Sequence, residues 1–395
     1  MLGNCLIRNP MTIDGTMDSG ALCEALLFFS KTHVVLDQGT LALFVTSGFL
    51  DDAIEMLKRG YITASYSPEL PALYTDTKGG LRQHHFVVIR VGGNERTGTL
   101  KRSADLLLFH LESLLNDKSK AKQYHRELCK LVSFKDLEKE PVETRALEDL
   151  KDPSFAREIA KMSLVNFGVP LAEVDSLRVR ILPLDGGKFT IDSDIDFMRL
   201  RKYVPSEPEF GINHLFPGVG DARLDIFLAA KHNAAFIGNN ANQKIVELIL
   251  NRAIGVRPNG DNATRPIYDF ISVDTPSIRE VINSGSRTPR EFMALLEKAD
   301  GFRKWLGQQN PDKDLIQEML REKANVGWLD SLPLKAARFG IFTGGGMLAD
   351  MVAPGSSIAL GTVDTFLVDK LANHWRPHFF VENHLRGFLD AHRKE

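Results

Sequence analysis

Short apolar, β-branched runs alternate with helical stretches through the first hundred residues. This pattern constrains the chain most, because strands separated by helices pack as an α/β layer. Cys5–Arg8, His33–Leu36, Tyr61–Tyr66 and His85–Val91 read as strands. Between them, Ser19–Ser30 reads as a buried helix with Asp18 or Ser19 at its N-cap. Leu50–Arg59 reads as a second helix, stopped by Gly60 in the left-handed conformation.

Residues 101–160 change character, carrying 12 Lys/Arg and 12 Asp/Glu. Mixed signs at that density mark helices with solvated faces rather than a strip of one charge. Lys135–Asp152 contains Pro141, is followed by Pro153, and gives the expected boundary between residues 1–150 and 151–395. A helix then starts at Pro153 behind Asp152 as N-cap. Leu177–Leu182 and Lys188–Phe197 read as a β-hairpin around Asp185-Gly186-Gly187. In the second strand Phe189, Ile191, Ser193, Ile195 and Phe197 share one face, and Lys188, Thr190, Asp192, Asp194 and Asp196 the other. The clearest helix start is Thr288-Pro289-Arg290-Glu291, a capping box with proline at its first position. The expected fold is an α+β or α/β N-terminal part, ending in charged helices, with a mixed, mainly helical C-terminal part.

Composition narrows the function classes. A chain of 395 residues with 43% hydrophobic and 25% charged residues has what a folded globular protein needs, which excludes a disordered chain or a fibre. A net charge of −2 gives no overall basic excess to draw nucleic acid, although a local patch fits inside a balanced total. Three scattered cysteines form no metal-binding spacing and fit a reducing compartment. No signal peptide is legible, and no run reaches the roughly 18 apolar residues of a spanning helix. The expected location is the cytoplasm.

Two acidic constellations are candidates for chemistry. Asp192, Asp194 and Asp196 follow Gly186-Gly187, and alternate carboxylates on one strand face suit Mg²⁺, which prefers oxygen ligands. The competing interpretation is a polar outer strand face. Asp37 ends the apolar run His33–Leu36, where side chains converge in a parallel sheet, with Asp14, Asp51 and Asp52 as acids that would join it. It equally suits a turn or helix cap. His374 and His378 lie four apart, but Pro377 interrupts their helix. Gly344-Gly345-Gly346 lacks the Gly-Lys-Ser/Thr of a phosphate loop, and Gly238–Asn242 reads as a loop of self-bonded Asn side chains. Phe339–Val363 holds two uncharged runs of 11 and 13 residues, flanking Asp350, and reads as a buried helical hairpin.

Four segments, LCEALLFFSKTHVV (22–35), KFTIDSDIDF (188–197), REVINSGSRTPREFMALLEKADGFRKWL (279–306) and DTFLVDKLANHWRPHFF (364–380), together resemble a loose set of uncharacterised bacterial proteins. Some of those are encoded near mobile elements and antiviral defence genes. The resemblance implies a bacterial intracellular protein and carries over no functional residue.

The first expectation is therefore a bacterial cytosolic interaction or regulatory protein, a component of a stress or antiviral response, with a protein partner or self-association. The second is a Mg²⁺-dependent enzyme acting on nucleotides or nucleic acid through Asp192, Asp194 and Asp196, or through Asp37. The third is a membrane-perturbing effector acting through residues 339–363.

Overall fold

The computed structural model describes residues 2–12, 14–92, 102–135, 137, 140–204, 210–254, 278–306, 380 and 384–389. Residues 339–363, His374, His378 and the triple glycine lie outside these, and so do the expectations attached to them. Among the described residues, no helix is long and apolar enough to cross a membrane.

The chain opens with β1 (Leu2–Ile7), α1 (Ser19–Phe28), β2 (Phe29–Leu36), α2 (Gln38–Thr46), α3 (Leu50–Lys58) and β3 (Ile62–Tyr66). A long hairpin, β4 (Glu69–Lys78) and β5 (Leu81–Arg90), precedes α4 (Ser103–Leu114), α5 (Lys118–Leu131) and β6 (Val132–Phe134). Then come α6 (Glu140–Leu150), α7 (Pro153–Asn166), α8 (Leu171–Val174), β7 (Val179–Pro183), β8 (Phe189–Ser193) and α9 (Phe197–Leu200). α10 (Pro217–His232), β9 (Ala234–Ile237) and α11 (Asn240–Ile254) follow, and after them α12 (Ile278–Asn283), α13 (Pro289–Lys298), α14 (Asp300–Leu306) and α15 (Arg386–Leu389).

Five parallel strands form one sheet in the order β6-β3-β2-β1-β9. Burial on both faces explains the continuous apolar run in β2. Val34 and Leu36 enter the core that holds α1, α12 and α13, while Val35 joins Leu6, Phe236 and the α10 residues Leu224 and Leu228 on the other side. The chain steps outward from β1 through β2 and β3 to β6, then returns to lay β9 on the opposite flank of β1. This reversal between β1 and β9 is a topological switch point, the place where open α/β sheets form ligand crevices.

A four-stranded antiparallel sheet has the order β4-β5-β8-β7. Its two hairpins meet through the pair His84↔Phe189. α7, α10 and α11 cover one of its faces, packing Phe155, Ile159, Val219 and Ile249 with Phe86, Ile181 and Phe189. Both sheets draw strands from either side of residue 150, because β4 and β5 join β7 and β8 while β9 returns to β1.

Local rules place the helix ends. Asp18 caps α1 by accepting the Ala21 N–H at 2.9 Å, and Asp152 caps α7 ahead of Pro153. Thr288 and Glu291 form the expected capping box of α13. One strand is shorter than its alternation predicts: β8 stops at Ser193, because the Asp196 carboxylate accepts the Arg199 N–H at 3.0 Å and starts α9. The exposure alternation nonetheless continues through residue 197.

α1 and α12 approach closely at Gly20, where a Cβ would lie 2.5 Å from the Arg279 Cα. The contact is to backbone, which has no rotamer to yield. Gly20→Ala is therefore expected to lower stability by about 1–3 kcal/mol, as overpacked substitutions do. Urea unfolding measures this, and a neutral result would mean that the two helices separate freely.

Candidate functional site

Arg8 immediately follows β1 and Asp37 immediately follows β2, so both side chains stand at the C-terminal edge of the parallel sheet beside the switch point. Arg8 donates from Nε to Asp37 Oδ2 at 2.6 Å, from Nη1 to Asp225 Oδ1 at 2.7 Å and from Nη2 to Asp221 Oδ1 at 2.9 Å. Asp221 and Asp225 lie one turn apart on α10, and Asn242 Nδ2 donates to the second oxygen of Asp225 at 3.2 Å. The other Asp37 oxygen accepts the Thr40 N–H at 2.8 Å and caps α2.

The cluster is closed to solvent at Arg8, Asp37 and Asp225, whose side chains are 5%, 6% and 1% exposed, and opens at Asp221, which is 32% exposed. Burial pushes the Asp225 carboxyl up to about 7 and raises that of Asp221, against the pull of Arg8. Burial also acts to lower the Arg8 guanidinium, but Asp37, Asp225 and Asp221 together hold it well above its ordinary value. The charges of Arg8, Asp221 and Asp225 in this cage are thus mutually dependent. Asp37 serves here as a helix cap and counter-ion. Its expected companions go elsewhere: Asp51 accepts the Tyr124 hydroxyl at 2.8 Å, Asp52 pairs with Arg290, and Asp14 bonds Thr12.

The other acidic constellation borders a cleft of about 630 Å³ at the start of α7 and along β7 and β8. Ser154, Arg157, Arg178, Arg180, Asp192 and Asp194 line it. Asp194 accepts from the Arg178 N–H at 2.8 Å and from Arg178 Nε at 3.1 Å. These bonds, the backbone one foremost, hold its carboxyl below the usual range. Asp192 stands opposite Arg180 in the β7–β8 ladder. Asp196 turns away to cap α9, so the structure brings two of the three carboxylates to one place. Among the described residues, no group of three His, Cys, Asp or Glu side chains is arranged to hold a metal ion.

What the carboxylates meet in the cleft is arginine. Arg157 and Arg180 form no ion pair with any described residue, and both are exposed. A guanidinium offers five donors in a planar fork suited to phosphate and carboxylate oxygens. The period-two spacing of Arg178 and Arg180 in LRVRIL already places them on one strand face. Arg157 belongs to α7, which packs on the other face of β7, so it lines the cleft from the opposite side of that edge strand. Arg8, Asp221 and Asp225 also lack a local signal. The Asn-rich segment departs from the expected loop: Asn240, Ala241 and Asn242 open α11, and Asn239 Oδ1 accepts the Asn242 N–H at 2.7 Å at the start of that helix.

No protein family, curated protein or solved structure matches this chain.

Proposed function

We propose that this chain is a binding and regulatory protein whose ligand carries phosphate, held in the cleft between α7 and the β7–β8 hairpin. The observation that carries this reading is the pair of exposed guanidinium groups, Arg157 and Arg180, unpaired among the described residues, in a cleft large enough for a nucleotide-sized group. Arg178 stands beside them, braced by Asp194. Charge-assisted hydrogen bonds between guanidinium and phosphate are the strong kind, and their forked geometry adds selectivity.

The Mg²⁺-dependent alternative needs carboxylate oxygens turned toward a common point. Asp194 has both oxygens on Arg178, and Asp196 caps α9, which favours binding over metal-assisted hydrolysis. A bacterial cytoplasmic setting, in a stress or antiviral response, is proposed with this reading and rests on the resemblance of the four sequence segments.

Calorimetric titration of the full chain with inorganic pyrophosphate and with ATP tests the proposal. Saturable binding is expected. The Arg157→Ala/Arg180→Ala double variant is expected to weaken it about tenfold or more, the scale of a lost hydrogen bond to a charged group. Asp196→Ala, remote from the cleft chemistry, should leave it within about twofold. Absence of saturable binding, or affinity indifferent to both arginines, would overturn the proposal.

A further inference from the structure

The antiparallel sheet has a second face, opposite to its helices. Cross-strand register assigns its residues: Tyr74 stands opposite His85, Leu70 opposite Ile89, Thr190 opposite Leu182 and Asp192 opposite Arg180. Lys188, just before β8, reaches Asp76 Oδ2 at 2.9 Å and Gln83 Oε1 at 3.4 Å, which shows β4, β5 and β8 presenting one continuous surface. Tyr74 is 55% exposed, Leu182 46% and Ile89 38%. The Tyr74 and His85 rings meet edge to face at 5.1 Å. His85 Nδ1 and Asp76 Oδ1, both buried, have no hydrogen-bond partner among the described residues.

This face runs directly into the arginine cleft, since Arg180 and Asp192 belong to both. From Tyr74 on the first strand to Arg180 on the fourth is three strand spacings across and four residues along. That makes a diagonal of about 20 Å, the reach of a few nucleotides. Lys78, exposed at the tip of the first hairpin, adds a positive charge level with Arg180 along the strands, on the opposite edge of the sheet. An aromatic platform at one end and unpaired cations at the other is the combination that single-stranded polynucleotides require. Bases stack on rings while guanidinium groups hold the backbone.

We infer that the phosphate-bearing ligand is a single-stranded polynucleotide, its backbone seated on Arg157 and Arg180 and a base stacked on Tyr74. The inference rests on the cleft binding phosphate. Charge favours this occupant, because Arg157 and Arg180 form no ion pair with any described residue.

Fluorescence anisotropy of the full chain with labelled octameric oligouridine RNA and octameric oligothymidine DNA tests it, beside the pyrophosphate titration. Binding of either octamer is expected, tighter than pyrophosphate, with a log affinity against log salt slope of about −2 for three contacted phosphates. A preference between the two assigns the sugar, and equal affinity assigns a strand-general site. Tyr74→Ala should weaken octamer binding about tenfold, the effect of one lost stacking contact, and leave pyrophosphate affinity unchanged. Tyr74→Phe should retain octamer binding. Arg180→Glu should weaken both ligands. Pyrophosphate binding with octamers no tighter, or octamer affinity indifferent to Tyr74→Ala, overturns the polynucleotide inference and leaves the cleft reading intact. Absence of binding by every probe overturns both.

Discussion

Replacing Arg8 with methionine is expected to cost the fold about 3–5 kcal/mol near pH 8, the scale for removing one partner of a buried ion pair. The guanidinium is the shared counter-ion of Asp37, Asp221 and Asp225, and two of those carboxylates have almost no access to water. Without it, buried negative charge is relieved chiefly by proton uptake. The deficit of the variant against the native chain should therefore shrink on acidification, being smaller at pH 5.5 than at pH 8. In the native chain the signs are also determined. Burial raises Asp225 from 3.8 to about 7 and Glu24 from 4.5 to about 8, so the folded state holds protons that the unfolded chain releases. Their stabilisation is complete below the unfolded values and is lost as pH rises through 7 and then 8. Below about 6.5 an opposing effect enters, because burial, with smaller contributions from His232 and Lys135, depresses His33 to about 4 and favours the fold as pH rises. Above neutrality the carboxylates dominate, and native stability should fall between pH 7 and 8.5. Urea unfolding of both proteins at pH 5.5, 7 and 8.5 measures all of this. Equal stability of variant and native chain at pH 8.5 would show that the cage is not a linked unit.

Phe189→Ala should cost a comparable amount, about 3–5 kcal/mol. Phe189 is fully buried in β8, with its ring 5.7 Å from that of His84 and 5.9 Å from that of Phe86. The two hairpins of the antiparallel sheet join at this residue, through its pairing with His84. Truncation leaves a cavity at that seam, lined by aromatic rings and the α7 side chains, which have little room to collapse inward. Chemical denaturation provides the measurement. A loss below about 1 kcal/mol would mean that the hairpins are held together elsewhere.

Local rules explain what was legible in the sequence. Capping is a contact between residues two or three apart, so Asp18, Asp152 and Thr288 announce their helices without knowledge of the fold. Alternation is equally local, and the inward face of Phe189 and Ile191 follows from it. The same alternation overstated β8, because it does not distinguish a ladder position from the Asp196 cap that succeeds it. Asp37 was visible as the acid at the end of an apolar strand. Its partners Arg8, Asp221 and Asp225 were not, since Arg8 lies 29 residues from Asp37 and 213 and 217 residues from the other two. The cleft follows the same division. Arg178 and Arg180 share a face by parity, but only the docking of α7 supplies Arg157 and encloses a volume. The union of β4–β5 with β7–β8 crosses most of the charged helical region, and no spacing rule spans such a distance.

The return of β9 to the flank of β1 carries a consequence for how the chain is made. β1 ends at Ile7 and its second neighbour begins at Ala234. At ribosomal rates of about 5–20 residues per second, synthesis of the intervening chain takes on the order of 10–50 s. Throughout that interval one edge of β1, with its apolar side chains and unpaired amide groups, is open to any other strand, including the same segment on a neighbouring polysome. Such edges template aggregation. A nascent chain halted within α10 would carry this exposed edge permanently. The delay is set by topology and is independent of what the finished protein binds.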